Sequence, residues 1–310
     1  MSTSNRSSAA ETAKGAPKSA ASAPNPANRP TPDRRRFALT GPSKALDHRQ
    51  YAARRDLADI AVAGRWFAPH YAEPELKTCG IRGADILEAA SDKGARISQL
   101  LPGEDFAVLE TAGEWAWGYS AHDGYVGYVH ADTLSEPVAP SHVIAARSAL
   151  LFAEPSSRAT LRGVLPMGSR LAGELQGGFL RTSHGYVAEQ QLTELGPDPV
   201  VIAEALIGTP YLWGGRGIGG IDCSGLVQLA FGLAGTHLPR DSDQQMAAGD
   251  AAPARLQRGD LMFYDDHVVI LTAADRAIHA SGYWMSVVAE PLADIVARMG
   301  EPVATRRMPS

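Results

Sequence analysis

Residues 211–225 read Tyr-Leu-Trp-Gly-Gly-Arg-Gly-Ile-Gly-Gly-Ile-Asp-Cys-Ser-Gly, and this stretch decides how the C-terminal part of the chain is read. A glycine-rich loop runs into Asp222-Cys223-Ser224, and an apolar run follows as far as Gly235. Leu226, Ala230 and Leu233 share one helical face, with Val227 and Phe231 beside them. The spacing predicts a largely buried helix that starts at Cys223. Asp222 or Ser224 is the candidate N-cap. A thiol there meets the free N–H groups and dipole of the first turn, which lower its pKa and can hold an oxyanion. The loop lacks the preceding strand and βαβ setting that a dinucleotide fingerprint requires.

Working outward, residues 200–207 read as a helix ending at Gly208-Thr209-Pro210. Residues 260–264, 267–271 and 277–280 are strand-like, and their short links imply an antiparallel sheet. The domain class is therefore α+β. His267 opens one of these strands, and His279 lies 12 residues later in the next. A nucleophilic thiolate needs a base within reach, and the base needs a third group to fix its tautomer. Both histidines are expected on the sheet face that meets the Cys223 helix.

At this point a resemblance becomes specific. The strings Pro210-Tyr211-Leu-Trp-Gly-Gly, Asp222-Cys223-Ser224-Gly225, Leu238-Pro239-Arg240-Asp241-Ser242, Gly259-Asp260-Leu261, His267-Val-Val-Ile and Ile278-His279-Ala280 resemble the NlpC-type family of papain-like cell-wall endopeptidases. The resemblance implies Cys223 as nucleophile, His267 as base, His279 as its orienting partner, and Tyr211 near the oxyanion site. It also maps substrate contacts onto Asp222, Ser224, Arg240 and Ser242. Asp222 could receive a substrate ammonium, and the hydroxyls could hold peptide amides or a carboxylate. Arg240-Asp241 reads equally well as an exposed loop ion pair. One departure is Val269, where the family often has glycine.

The segment between about 80 and 195 is β-rich. Residues 106–109 are strand-like, and Trp115, Trp117 and Tyr119 alternate as on a strand with one buried face. Gly127-Tyr-Val-x4-Leu134 recurs as Gly185-Tyr-Val-x4-Leu192. Each copy is preceded by a Leu-Pro turn, at Leu101-Pro102-Gly103 and Leu165-Pro166-Met167-Gly168. Two copies of this size predict two small β modules. They resemble the bacterial SH3-like domains that accompany some of these peptidase domains, as in the dipeptidyl-peptidase subgroup. There the SH3-like domain closes one end of the groove, so that only a free N-terminal L-Ala-γ-D-Glu end fits. Tyr125, with Asp123 beside it, is the candidate for that wall; Tyr128 competes.

The expected organisation is a disordered tail over 1–40, rich in Ser, Ala and Pro, and an N-terminal extension over 41–80 with helical character near 44–60. SH3-like modules follow over 81–138 and 139–196, and a papain-like domain, with a helix packed on an antiparallel sheet, over 197–310.

The chain has 310 residues, 45% hydrophobic and 20% charged, with a net charge of −5. That balance supports a packed core and excludes the basic footprint of a nucleic-acid binder. No apolar run reaches the ~18 residues of a membrane span. The start has no signal-peptide core, and the apolar run after Arg34-Arg35-Arg36 is short, so a cytoplasmic protein is expected. Two cysteines, Cys79 and Cys223, suit a reducing compartment, and Cys79 reads as a buried structural thiol.

The resemblance implies a cysteine peptidase that cleaves the γ-D-glutamyl-L-diamino acid bond of peptidoglycan stem peptides with a free N-terminal L-Ala, and with the missing signal peptide it points to cell-wall recycling; no cofactor and no metal are expected. The readings weighed beside it are a non-catalytic cell-wall-binding or scaffold protein, an acyl transferase using the same triad, and a zinc hydrolase built on Cys223, His267, His279 and Asp265.

Overall fold

Turn chemistry shapes the β-rich half. In a computed structural model, residues 46–192, 196, 198–252 and 255–308 are described; the expected tail lies outside them. Both Leu-Pro turns end in a glycine with positive φ, +78° at Gly103 and +84° at Gly168, a conformation that favours glycine. A Cβ on Gly103 would also lie 2.0 Å from the carbonyl oxygen of Arg170. The first turn therefore presses directly on the second module.

The first module is a seven-stranded antiparallel sheet. Its order is Arg96–Leu100, Ala84–Leu87, Val126–His130, Trp115–Ser120, Asp105–Ala112, Glu75–Cys79, Leu134–Ser135. Ile86, Leu100, Phe106 and Val129 form its core together with Cys79. Burial pushes the free Cys79 thiol up to about 12, so it is inert at neutral pH. Glu75–Cys79 pairs with Asp105–Ala112 and with Leu134–Ser135. The module thus starts at Glu75, ahead of the expected boundary at 81. The second module has strands Ser148–Phe152, Leu161–Pro166, Glu174–Gln176, Phe179–Arg181 and Tyr186–Ala188 around Leu151, Leu165, Leu180 and Val187. The two Gly-Tyr-Val copies adopt one motif, in which the strand leads into a single 3-10 turn, Ala131–Thr133 or Glu189–Gln191.

The N-terminal extension departs from its expected helical character. Among its described residues it is irregular, with a short parallel pairing of Leu57–Asp59 and His70–Ala72. Tertiary contacts override helix propensity here. Ala52, Leu57 and Ala72 cover the outer face of the first module, against Trp117, Tyr119 and Tyr128. Arg54 lies 4.2 Å over the Trp117 ring. The aromatic strand is therefore buried on both faces, not one.

The C-terminal domain carries helices α1 (Pro199–Ala205), α2 (Cys223–Leu233), α3 (Ser242–Ala248) and α4 (Leu292–Met299). Its six-stranded antiparallel sheet has the order Asp250–Ala251, Ala304–Arg307, Leu261–Tyr264, His267–Ala273, Arg276–Ser281, Ser286–Pro291. Val268, Ile270, Ile278 and Ala280 pack against α1 and α2. The alternate residues Val269, Leu271 and Ala277 pack with Ile295 of α4 on the other face. Val269, in the position where glycine was noted as frequent, is a core residue of this second layer.

A buried charge chain joins the first module to α2. Arg216 of the glycine loop pairs with Glu104 at 2.6 Å, and its Nε donates to Gln228 at 2.7 Å. Gln228 in turn donates to Asp123 at 2.8 Å. Arg216 and Glu104 side chains are 3% and 4% exposed, so removing one partner strands a charge away from water. Glu104→Gln is expected to cost about 3–5 kcal/mol, read as a lower urea midpoint. The double change Glu104→Leu with Arg216→Met should cost much less, because no orphaned charge remains.

Candidate active site

Asp222 is the N-cap of α2, and its carboxylate accepts from the Gly225 N–H at 2.7 Å. That places Cys223 at the first helical position. Gly225 is required for the loop to close, since a Cβ there would lie 2.5 Å from the Gly215 carbonyl oxygen. The thiol is buried at 6% exposure. Burial, and next the charge of Asp222, push it up to about 11, against the N–H groups of Val268 and Ser224. The sequence-based expectation of a lowered pKa is thus overturned at rest, because desolvation outweighs the helix start. The Val268 contact also puts the sulfur beside the start of the His267 strand.

His267 owes its place to a two-residue hairpin. Tyr264 pairs with His267 across Asp265-Asp266, and Asp266 takes φ +55°, which Asp tolerates. His267, His279 and Glu290 have the alternation of the α4-facing layer, so the histidines do not lie on the face that packs on α2. The thiol meets the His267 strand at its first residues instead. His267 Nε2 lies 2.6 Å from His279 Nδ1, and His279 Nε2 lies 2.7 Å from Glu290 Oε1. Trp284 Nε1 donates to Glu290 Oε2 at 3.2 Å, and Arg298 of α4 donates to Oε1.

This chain fixes the tautomers. Burial pushes the Glu290 carboxyl up, but hydrogen bonds from Arg298, His279 and Trp284 outweigh it and hold it below the usual range. An ionised carboxylate only accepts, so His279 carries its proton on Nε2. Its bare Nδ1 then accepts from His267 Nε2–H, which leaves His267 Nδ1 as a free base. Burial, then the neighbouring His279 and Arg298, bring His267 down to about 3. Burial also lowers His279, against the pull of Glu290. Burial thus disfavours the charged form of the thiol and of both imidazoles.

Glu290 is absent from the sequence-derived site. It lies on Ser286–Pro291, a strand beyond the last one read from the sequence. The register His279↔Val288 makes it a diagonal neighbour of His279 on the same face. An alternating Val287, Ala289 pattern leading to an acid was the available signal.

Tyr211 is half-buried against the core that contains Cys223. Burial and next the thiol raise its hydroxyl to about 12, so it stays protonated near the sulfur. Three other expected contacts, Asp222, Arg240 and Asp123, are engaged within the protein. Asp222 is consumed: besides capping α2, it accepts from Gly214 N–H at 2.8 Å and bidentately from Arg240 at 2.6 and 3.0 Å. It has no room for a substrate ammonium. Arg240 is 1% exposed and also holds Ser224 Oγ at 2.9 Å and Ser98 Oγ of the first module at 3.0 Å; it is no exposed loop pair. Asp123 is buried on Gln228 and its own turn, where it accepts from Tyr125 N–H at 3.0 Å. Ser242 is half-buried at the start of α3.

Tyr125 does reach the peptidase domain, and its hydroxyl donates to Asp241 at 3.0 Å. Tyr128 turns to the outer face, 3.4 Å from Arg54. Asp241, a residue missed from sequence, keeps a quarter-exposed side chain at this junction. Burial raises its carboxyl, against Arg240, Tyr125 and Arg49.

Two predictions follow from the imidazole chain. Glu290→Gln replaces an acceptor-only carboxylate with an amide that also donates, so the tautomers are no longer fixed and turnover should fall about 10²- to 10⁴-fold with the fold retained, measured by kcat and circular dichroism. The second concerns stability. His267 resists protonation when folded but takes a proton near 6.5 when unfolded, so the unfolded state binds more protons below that pH. Its contribution is present above pH ~6.5 and is lost as pH falls towards 3, at up to about 1.4 kcal/mol per pH unit. Urea titrations should show that slope, and His267→Gln should flatten it.

Comparison with known proteins agrees with this geometry. Residues 208–296 match the NlpC/P60 family, and residues 86–134 match the bacterial dipeptidyl-peptidase Sh3 domain. The chain is 33% identical over 165 residues to Dipeptidyl-peptidase 6 of Lysinibacillus sphaericus, covering 45% of this chain and 60% of that protein. It is 29% identical over 188 residues to Gamma-D-glutamyl-L-lysine dipeptidyl-peptidase of Bacillus subtilis (strain 168), covering 54% and 63%. The chain thus spans less than two thirds of these relatives. Its fold is similar to the crystal structure of an NlpC/P60 family protein from Bacillus cereus ATCC 10987, with TM-score 0.64 and 18% identity, covering 75% of this chain and 99% of that one. By these matches the chain carries an NlpC/P60 domain over residues 208–296, with a bacterial dipeptidyl-peptidase SH3 domain ahead of it over residues 86–134.

Proposed function

We propose that the protein is a cysteine peptidase that hydrolyses the γ-D-glutamyl-L-diamino acid bond of peptidoglycan-derived peptides with a free N-terminal L-Ala. The observation that carries this is the buried relay from Glu290 through His279 to His267, at the strand end beside the Cys223 thiol. The similarity to two dipeptidyl-peptidases, one acting on γ-D-glutamyl-L-lysine by its name, supports the substrate class.

In this reading Cys223 Sγ attacks the γ-carbonyl carbon while its proton passes to His267 Nδ1. The oxyanion is held by N–H groups of the first turn of α2 and by Tyr211. The tetrahedral intermediate collapses to a thioester as the leaving amine takes the proton from His267. Water then attacks, giving a proton back to His267; the thiolate leaves, recovers that proton, and the dipeptide acid departs. Coupling proton transfer to attack suits a site where burial disfavours the charged forms of thiol and imidazole.

The N-terminal end of the peptide would meet the junction of Tyr125 and Asp241. There Asp241, in place of Asp222, would receive the ammonium. Ser242 is next to it and suited to a peptide amide or carboxylate. Soluble peptides in a cytoplasmic compartment are the proposed setting, in keeping with two free thiols.

The test is incubation with L-Ala-γ-D-Glu-diaminopimelate and its N-acetyl form. Release of L-Ala-D-Glu from the free peptide, abolished by iodoacetamide and reduced at least about 10³-fold in Cys223→Ala, is the expected result. Loss to a chelator without sensitivity to alkylation would overturn it. Binding without turnover by wild type would favour a wall-binding protein.

A further inference from the structure

The N-terminal extension enters this junction through one side chain. Arg49 uses all five of its N–H donors on three carboxylates. Nε and Nη2 reach Asp47 at 3.0 and 2.8 Å, Nη1 reaches Asp241 at 2.9 Å, and Nη1 and Nη2 reach Asp243 at 2.9 and 2.7 Å. The backbone of Arg49 is tied to the first module, because its carbonyl accepts from Val126 N–H at 2.9 Å, one residue after Tyr125. Gln244 of α3 donates to Asp47 at 3.0 Å. The extension, the first module and the peptidase domain are thus joined at Arg49.

The effect on Asp241 is specific. Tyr125 and Arg49 grip its Oδ2 at 3.0 and 2.9 Å, whereas Oδ1 has the longer Tyr125 contact at 3.2 Å. A carboxylate oxygen can accept two hydrogen bonds, so Oδ1 keeps capacity for a donor from the groove. Three carboxylates face one guanidinium, so the cluster remains net negative, as a bound ammonium requires. Without Arg49 these carboxylates would repel one another, and Asp241 would be fixed by Tyr125 alone.

We propose that Arg49 is a specificity-determining positioning residue: with Tyr125 it holds Asp241 aimed at the free N-terminal ammonium of the peptide, making the N-terminal extension part of the substrate site. This rests on the dipeptidyl-peptidase reading above. Arg49 does not touch the reacting atoms, so its loss should act on binding and leave the chemical step.

The experiment compares KM and kcat for L-Ala-γ-D-Glu-diaminopimelate and its N-acetyl form in wild type, Arg49→Gln, Arg49→Lys and Asp243→Asn. Arg49→Gln should raise KM for the free peptide roughly 10- to 100-fold, with kcat within about threefold. The preference for the free over the blocked peptide should shrink by the same factor. Arg49→Lys, a point charge without the planar fork, should recover part of the loss. Asp243→Asn alters an exposed side chain that grips Arg49, so it should raise KM in the same direction by less, even if Arg49→Gln folds poorly. A wild-type preference that survives in Arg49→Gln overturns the role of Arg49 alone, as does a fall in kcat with KM unchanged. No preference in wild type overturns the free-end reading itself, and the role of Arg49 with it.

Discussion

Asp222 is a buried carboxylate next to the Cys223 thiol, and a charge in that position must be paired and hydrogen-bonded to be tolerated. Its partners come from three segments. The α2 backbone supplies a helix cap, the glycine loop supplies the Gly214 N–H, and the loop before α3 supplies the Arg240 guanidinium. Arg240 extends the network to Ser98 of the first β module. Such a pair adds little net stability over an apolar replacement, but leaving one member unpaired is severe. The pair therefore acts as a registration device: the thiol, the loop before it and the first β module are held to one another through a single carboxylate.

The same logic of buried polar groups governs the imidazole relay. Each ring nitrogen removed from water needs a partner, and the chain ends on Glu290, which only accepts. One carboxylate thus sets the proton position on two rings and leaves His267 Nδ1 without a proton. Arg298 and Trp284 in turn keep Glu290 ionised and oriented. Burial around the Cys223 thiol and the His267 ring disfavours the charged form of each.

The junction at Asp241 is composite. Tyr125 belongs to the first β module, Asp241 to the C-terminal domain, and Arg49 to the extension. The Glu104–Arg216–Gln228–Asp123 chain lies behind them and ties the module to α2. A β module joined to α2 by buried charges is held in place and is not loosely tethered.

Local patterning made much of this legible. The apolar run from Cys223, the strands at His267 and His279, the doubled Gly-Tyr-Val motif and the buried Cys79 follow from periodicity and turn chemistry, which act over a few residues. The aromatic strand was half legible, because alternation shows that one face is apolar but not what covers the other. Polar roles were the least legible. Asp222, Asp123 and Arg240 carry the right chemistry for substrate contact, yet each is spent on a partner elsewhere in the chain. Arg49 and Asp241 are 192 residues apart, and no local pattern links them. The sequence by itself determined Cys223's place at a helix start and the two histidines on neighbouring strands. Only the tertiary structure decided which carboxylates are consumed, that Glu290 completes the relay, and that the extension reaches the groove, because charge pairing in a folded interior depends on long-range proximity and burial.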